Sequence, residues 1–191
     1  MTATRYNIVN AIVLNLVWMA AVGGAARGLW WAGPAAAAIF MLIHWPFFKR
    51  MDALALLVLM PLGLVLDSLY AATGVVIYAS PVPSSSLAPV WILSLWFAFA
   101  LTVAHSLRML LANAWIAMLL GAIFGPLSYW IAAEVWGAAA FGYPWPVWIS
   151  ALAVPWMLVM GLCSRLLKIE TEGASSRAAA AAASFLSAGK R

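Results

Sequence analysis

Six stretches of predominantly apolar residues, each close to the length of about 20 needed to cross a bilayer as a helix, constrain this chain more than any motif in it. They run roughly 7–25, 29–48, 52–74, 90–110, 112–135 and 145–166. Inside hydrocarbon every backbone N–H and C=O must find its partner within the protein, so a spanning chain is either helical or a closed barrel. Barrel strands alternate apolar and polar residues, and these runs do not. Hydrophobic residues make up 67% of the chain and charged residues 8%, against about half and a quarter in water-soluble domains. So few charges cannot cover a soluble surface. The expected fold is all-α, a polytopic transmembrane bundle of six helices over residues 1–168, followed by an alanine-rich, low-complexity tail over 169–191.

Short polar breaks separate the runs: Arg27-Gly28, Lys49-Arg50 with Asp52, the Pro- and Ser-rich stretch Ser80 to Pro89, Arg108 to Asn113, and Gly142 to Pro146. With six spans both termini share one side. Arg5, Lys49, Arg50, Arg108, Arg165, Lys168 and the tail cations fall on that side and Arg27 on the other. Excess Lys and Arg mark the cytoplasmic face, so both termini are expected inside. Trp30, Trp31, Trp91, Trp136, Trp145 and Trp148 then gather at the outer boundary, and Trp45 and Trp115 at the inner one. The net charge of +5 does not indicate nucleic acid, because the basic residues mark span ends and the tail instead of covering one face. The first run has the outline of a signal peptide, but Asn7, Asn10 and Asn15 interrupt its apolar centre, so it is read as a retained span. The single cysteine, Cys163, excludes an internal disulfide.

Asp67 is the acidic residue set deepest in any run, and an ionisable group there marks a functional site by default. At about 1.5 Å per residue it lies about 20 Å from the inner boundary. Ser128 and Tyr129 on the fifth run and Trp96 on the fourth reach the same height, so an outer polar layer of Asp67, Ser68, Tyr70, Ser128 and Tyr129 is expected. An inner layer holds Asn10, Asn15, His44, His105, Ser106, Arg108 and Cys163. His105 lies about 10–15 Å in depth from Asp67, too far for a direct pair. His44, His105 and Cys163 are ligand types for soft metals, but their spacing matches no metal motif, so neither metal nor cofactor is expected. Gly121 and Gly125 form a GxxxG pair that brings helices close. Packing within the chain is the first reading of that pair, and docking to a membrane-protein partner the second. Pro126 frees a carbonyl beside Ser128 and Tyr129. No hydrolase, zinc-protease or phosphate-loop signature is present.

Asn10 to Trp18, the Asp67-Ser68-Leu69 step, Trp91 to Trp96 followed by Thr102 to Leu107 (TVAHSL), and Gly121 to Trp130 (GAIFGPLSYW) resemble a bacterial family of multi-span membrane proteins, domain of unknown function 2878. The likeness covers most of residues 7 to 165 and omits the tail. The family pattern has Phe-Gln ahead of the first tryptophan and Asn ahead of the histidine, where this chain has Leu14-Asn15 and Ala104. The resemblance implies a bacterial inner-membrane location and supplies no activity.

The leading expectation is therefore a non-catalytic membrane protein, surrounded by lipid, that binds or moves a small molecule or lipid at a pocket of Asp67, Ser68, Trp96, Ser128 and Tyr129. A membrane enzyme acting on a lipid or isoprenoid, with His105 as acid or base and Arg108 holding a phosphate, is the alternative. A structural or regulatory subunit docked through Gly121 and Gly125 is the third.

Overall fold

A computed structural model describes residues 3–188, with side chains placed for 4–173, 175 and 176. It is helical: α1 (Ala3–Ala25), α2 (Ala32–His44), α3 (Arg50–Thr73), α4 (Val90–Ala100), α5 (Arg108–Leu111), α6 (Ala114–Glu134) and α7 (Trp145–Ala188). Four stretches, Thr4–Ala25, Arg50–Thr73, Ala114–Glu134 and Trp145–Gly173, are long and apolar enough to cross a membrane. Their outward surface is apolar as well. Leu57 and Leu119 are 73% and 60% exposed, and Leu42 on the shorter α2 is 75% exposed, which suits lipid as the surrounding medium and not water. Trp45 and Trp115 are exposed at one end of the bundle, and Trp31 and Trp145 at the other. Trp91 and Trp148, expected in the outer belt, are buried instead: Trp148 stacks on Phe141, and Trp91 donates to the Ala79 carbonyl.

The helix ends follow local chemistry. At the start of α3, Asp52 reaches back to accept from the Lys49 N–H at 2.6 Å, the acidic half of a capping box. At the start of α6, the Asn113 side chain accepts from the N–H groups of Trp115 and Ile116. The tail expected to separate at residue 169 instead continues α7 to Ala188. An alanine-rich segment is marginal as an isolated helix because nucleation is unfavourable. Here α7 has already supplied the nucleus, and alanine propagates it.

Two further departures place the functional groups. The connection after α3 folds into β1 (Val76–Tyr78), which pairs antiparallel with β2 (Ala139–Phe141) in the connection between α6 and α7, matching Tyr78 to Ala139. This ribbon ties together two loops whose paired residues, Tyr78 and Ala139, stand 61 positions apart in the sequence. The fourth run, expected to be one helix to residue 110, breaks after Ala100 into tight turns before α5. Broken backbone at membrane depth persists only where protein re-satisfies it. Asn10, fully buried on α1, does so: its Nδ2 donates to the Leu101 carbonyl at 3.0 Å, and its Oδ1 accepts from the Ser106 hydroxyl at 2.6 Å.

Through the middle of the bundle the rings of Trp96 (α4) and Trp156 (α7) stack at 5.0 Å, 12° from parallel. Gly63 on α3 backs the first ring and Gly125 on α6 backs the second, so closely that a β-carbon at either position would run into the indole. Gly121 likewise faces Trp156 and Met160, so the Gly121–Gly125 face packs on α7 of the same chain. These four layers join α3 and α4 to α6 and α7.

Replacing Asn10 with leucine strands the Leu101 carbonyl and the Ser106 hydroxyl. The expected loss is about 1–3 kcal/mol, read as a lower Tm in detergent. Asn15→Ala, on an exposed side chain bonded to its own helix at Ala11, should leave Tm nearly unchanged.

Candidate functional site

Asp67 is fully buried, and three donors close on its carboxylate. Oδ1 accepts from the Tyr78 hydroxyl at 2.5 Å and the Tyr129 hydroxyl at 2.6 Å, and Oδ2 accepts from the Trp96 indole N–H at 2.6 Å. None of these partners is a cation, so the carboxylate is held by directed dipoles alone. Each donor comes from a different element: the ribbon, α6 and α4. The Tyr78 phenol is pushed well above its ordinary pKa, by burial first and then by the Asp67 charge, so it remains a donor. The Tyr70 ring meets the Tyr129 ring edge-on, and its hydroxyl is buried without a hydrogen-bond partner.

Asp67 does not itself line either of the two spaces between α1 and α6. Its partners do. Tyr78, Trp96 and Tyr129 form one wall of a space of about 200 Å³, completed by Leu14, Trp18, Trp91, Leu95, Phe99, Ser128 and Trp156 among others. A second space of about 620 Å³ shares Leu14, Asn15, Trp18, Phe99, Ser128 and Trp156 with it and continues along α6 to Gly121 and Leu120. Together they make one cleft between α1 and α6, topped by the edge-on contact of Trp18 with Trp136. From Gly121 to Ala132 the cleft follows about 17 Å of α6 at the helical rise per residue. Its walls are aromatic and aliphatic. Asn15 and Ser128 are polar exceptions, and each donates back to its own helix, at Ala11 and Gly125. Their oxygens keep lone pairs that can accept from a guest.

Height alone thus brings Asp67 together with Trp96 and Tyr129, whereas the two serines expected beside it bond elsewhere. Ser68 accepts from the Ala88 N–H at 3.0 Å, pinning the loop before α4. Ser128 donates to Gly125 at 2.7 Å and faces the cleft. Tyr78 escaped the sequence reading. The available signal was a lone tyrosine between two turn-forming stretches, within reach of Asp67 if the chain folds back.

A second polar centre lies at the opposite end, where α1 and α3 start, α2 ends and the turns after α4 run. His44, Asp52, His105, Tyr6 and Asn10 are all buried there. Asp52 Oδ2 lies 3.1 Å from His105 Nε2 and 3.3 Å from His44 Nε2. The Tyr6 hydroxyl contacts His44 Nδ1, and Asn10 Nδ2 reaches that hydroxyl at 3.4 Å. Among the described residues His44, Asp52 and His105 are grouped closely enough to hold a metal ion. Cys163, weighed as a ligand alongside the histidines, is buried on α7 outside that group. Arg108 is exposed and lines a separate surface hollow with Ser164, Lys168 and Thr171, while the His105 ring turns inward to Asp52.

Removing the Asp67 acceptor should be costly, because three buried donors lose their partner together. Asp67→Ala is expected to lower stability by several kcal/mol, at about 1–3 kcal/mol for each stranded group. Tyr129→Phe, which removes one donor and leaves the other two, should cost less. Thermal unfolding of the purified variants gives the ranking.

The family described as "Protein of unknown function (DUF2878)" matches residues 7–162. No curated protein and no solved structure matches the chain. The matched segment runs from α1 into α7 and takes in the cleft and both polar centres apart from Tyr6. This chain belongs to the DUF2878 family.

Proposed function

We propose that this protein is a six-span protein of the bacterial inner membrane, with both termini in the cytoplasm, that binds a lipid or other apolar small molecule in the cleft between α1 and α6. Support for six spans comes from the two shorter helices. The turn Trp45–Phe47 extends α2, and the turns of residues 101–107 carry α4 on to α5. Support for the orientation comes from charge: Lys49, Arg50 and Arg108 lie at the end that holds Tyr6 and His44, and Arg27 lies at the other.

The cleft carries the functional reading. It is long, narrow and almost wholly apolar, and its polar exceptions offer acceptor oxygens. The best-suited guest is therefore a chain-like lipid or isoprenoid whose polar end is a donor, a hydroxyl or an amine. In this reading Asp67 is a positioning residue. It does not touch the guest; it holds Tyr78, Trp96 and Tyr129 in the wall. That differs from recognition of a cation or carriage of a coupling proton, because all three donors lie between the carboxylate and the cleft.

Protein extracted in mild detergent and weighed intact by native mass spectrometry should retain one apolar guest, identified after release. Ala132→Phe, which grows a ring into the cleft from a wall residue, should abolish that adduct while the protein still inserts. Asp67→Asn should weaken retention about tenfold by loosening the wall. Wild-type protein that carries no guest, and whose Tm does not rise with added long-chain alcohols or prenols, would overturn the assignment.

A further inference from the structure

We propose that His44, Asp52 and His105 form a binding site for a divalent first-row transition metal, zinc in the first instance, at the end of the bundle opposite the Asp67 clamp. The donor set is two imidazoles and one carboxylate, the combination used by zinc and non-haem iron sites. Its spacing fits. Ligands held about 2.0–2.1 Å from a tetrahedral metal stand about 3.3 Å from one another, and Asp52 Oδ2 is 3.1 and 3.3 Å from the two Nε2 atoms. One donor atom from each of the three residues falls within a 4.8 Å span.

A second observation is independent of spacing. His44 Nε2 and Asp52 Oδ1 are buried and have no hydrogen-bond partner. His44 Nε2 stands at ion-pair distance from Asp52 Oδ2 without the geometry of a hydrogen bond. A buried imidazole nitrogen left in this state is costly, and a cation shared by His44 Nε2 and Asp52 Oδ2 removes that cost. The plain alternative is that Asp52 simply caps α3. Capping, however, uses the Lys49 N–H and needs neither histidine. It leaves His44 Nε2 buried without a partner.

The surroundings are those of a metal site. The Tyr6 hydroxyl occupies His44 Nδ1, which leaves Nε2 to face Asp52, as outer partners of ligating histidines do. The break after α4 is what turns His105 inward, and Asn10 holds that break in place. A metal there would join the end of α2, the start of α3 and the turns after α4. Three protein ligands leave a coordination position for water or an added ligand. The assignment does not depend on the cleft or its guest.

Tag-free protein in detergent, stripped with chelator and titrated with cobalt(II), should take up one equivalent. Visible bands of nitrogen- and oxygen-ligated cobalt should appear without a thiolate charge-transfer band, and zinc should displace them. Zinc should also raise the Tm of the stripped protein. His105→Ala and Asp52→Asn should weaken binding by about tenfold or more, and Cys163→Ser should leave it unchanged. Absence of cobalt bands together with no zinc-dependent rise in Tm for wild-type protein would refute the site, whatever the variants do. Binding that survives in both His44→Ala and His105→Ala, or that is lost in Cys163→Ser, would also refute it.

Discussion

A carboxylate removed from water must be met by charge or by hydrogen bonds, and the hydrogen bonds that meet Asp67 determine much of the arrangement around it. Its three donors are fixed to the ribbon, to α4 and to α6, so satisfying one side chain of α3 draws three other parts of the chain into register. Low dielectric strengthens each of those bonds and makes the loss of any one expensive. The Trp96 ring that donates to Asp67 also stacks on Trp156, with Gly63 and Gly125 behind the pair. The polar clamp and the apolar stack thus share one side chain, and the cleft beside them inherits a rigid wall.

The two ends of the bundle solve the problem of buried polarity differently. At the ribbon end, phenol and indole donors surround an acceptor, and the arrangement is fully paired at the carboxylate. At the other end, imidazoles and a carboxylate converge, and two atoms remain unpartnered. Between them runs a cleft whose serine and asparagine bond to their own helices. Short hydroxyl and amide side chains in a helix commonly do this, which makes them compatible with an apolar guest.

Particular residues show how far the sequence reaches. Counting residues from the polar breaks placed Asp67, Trp96 and Tyr129 at one height, because the helical rise is nearly constant whatever surrounds the helix. The same count could not separate Ser68 and Ser128 from the clamp, since height says nothing about which way a side chain turns. Tyr78 belongs to a loop that has no fixed rise, and its place follows from pairing with β2, 61 residues further along at Ala139. Asp52 stands beside Lys49 and Arg50, where a charged residue reads as a solvated span boundary. Its burial arises because α2 and the turns after α4 close over it, bringing His44 and His105 with them.

Composition and local pattern are enough to make this chain helical and suited to an apolar surround, to place the ends of α3 and α6 within a few residues, and to show which polar groups lie at similar depth. These follow from local terms: the need to satisfy each backbone group within its own helix, the length of each apolar run, and the capping residues at its ends. The tertiary structure alone decided that α4 breaks at Ala100, that two distant loops pair, that the Gly121–Gly125 face is spent on α7, and that Asp52 meets two histidines. Each of these depends on a partner far away in sequence. Their energies are set by desolvation and close packing between elements, and periodicity and composition along one strand of sequence do not encode which elements will meet.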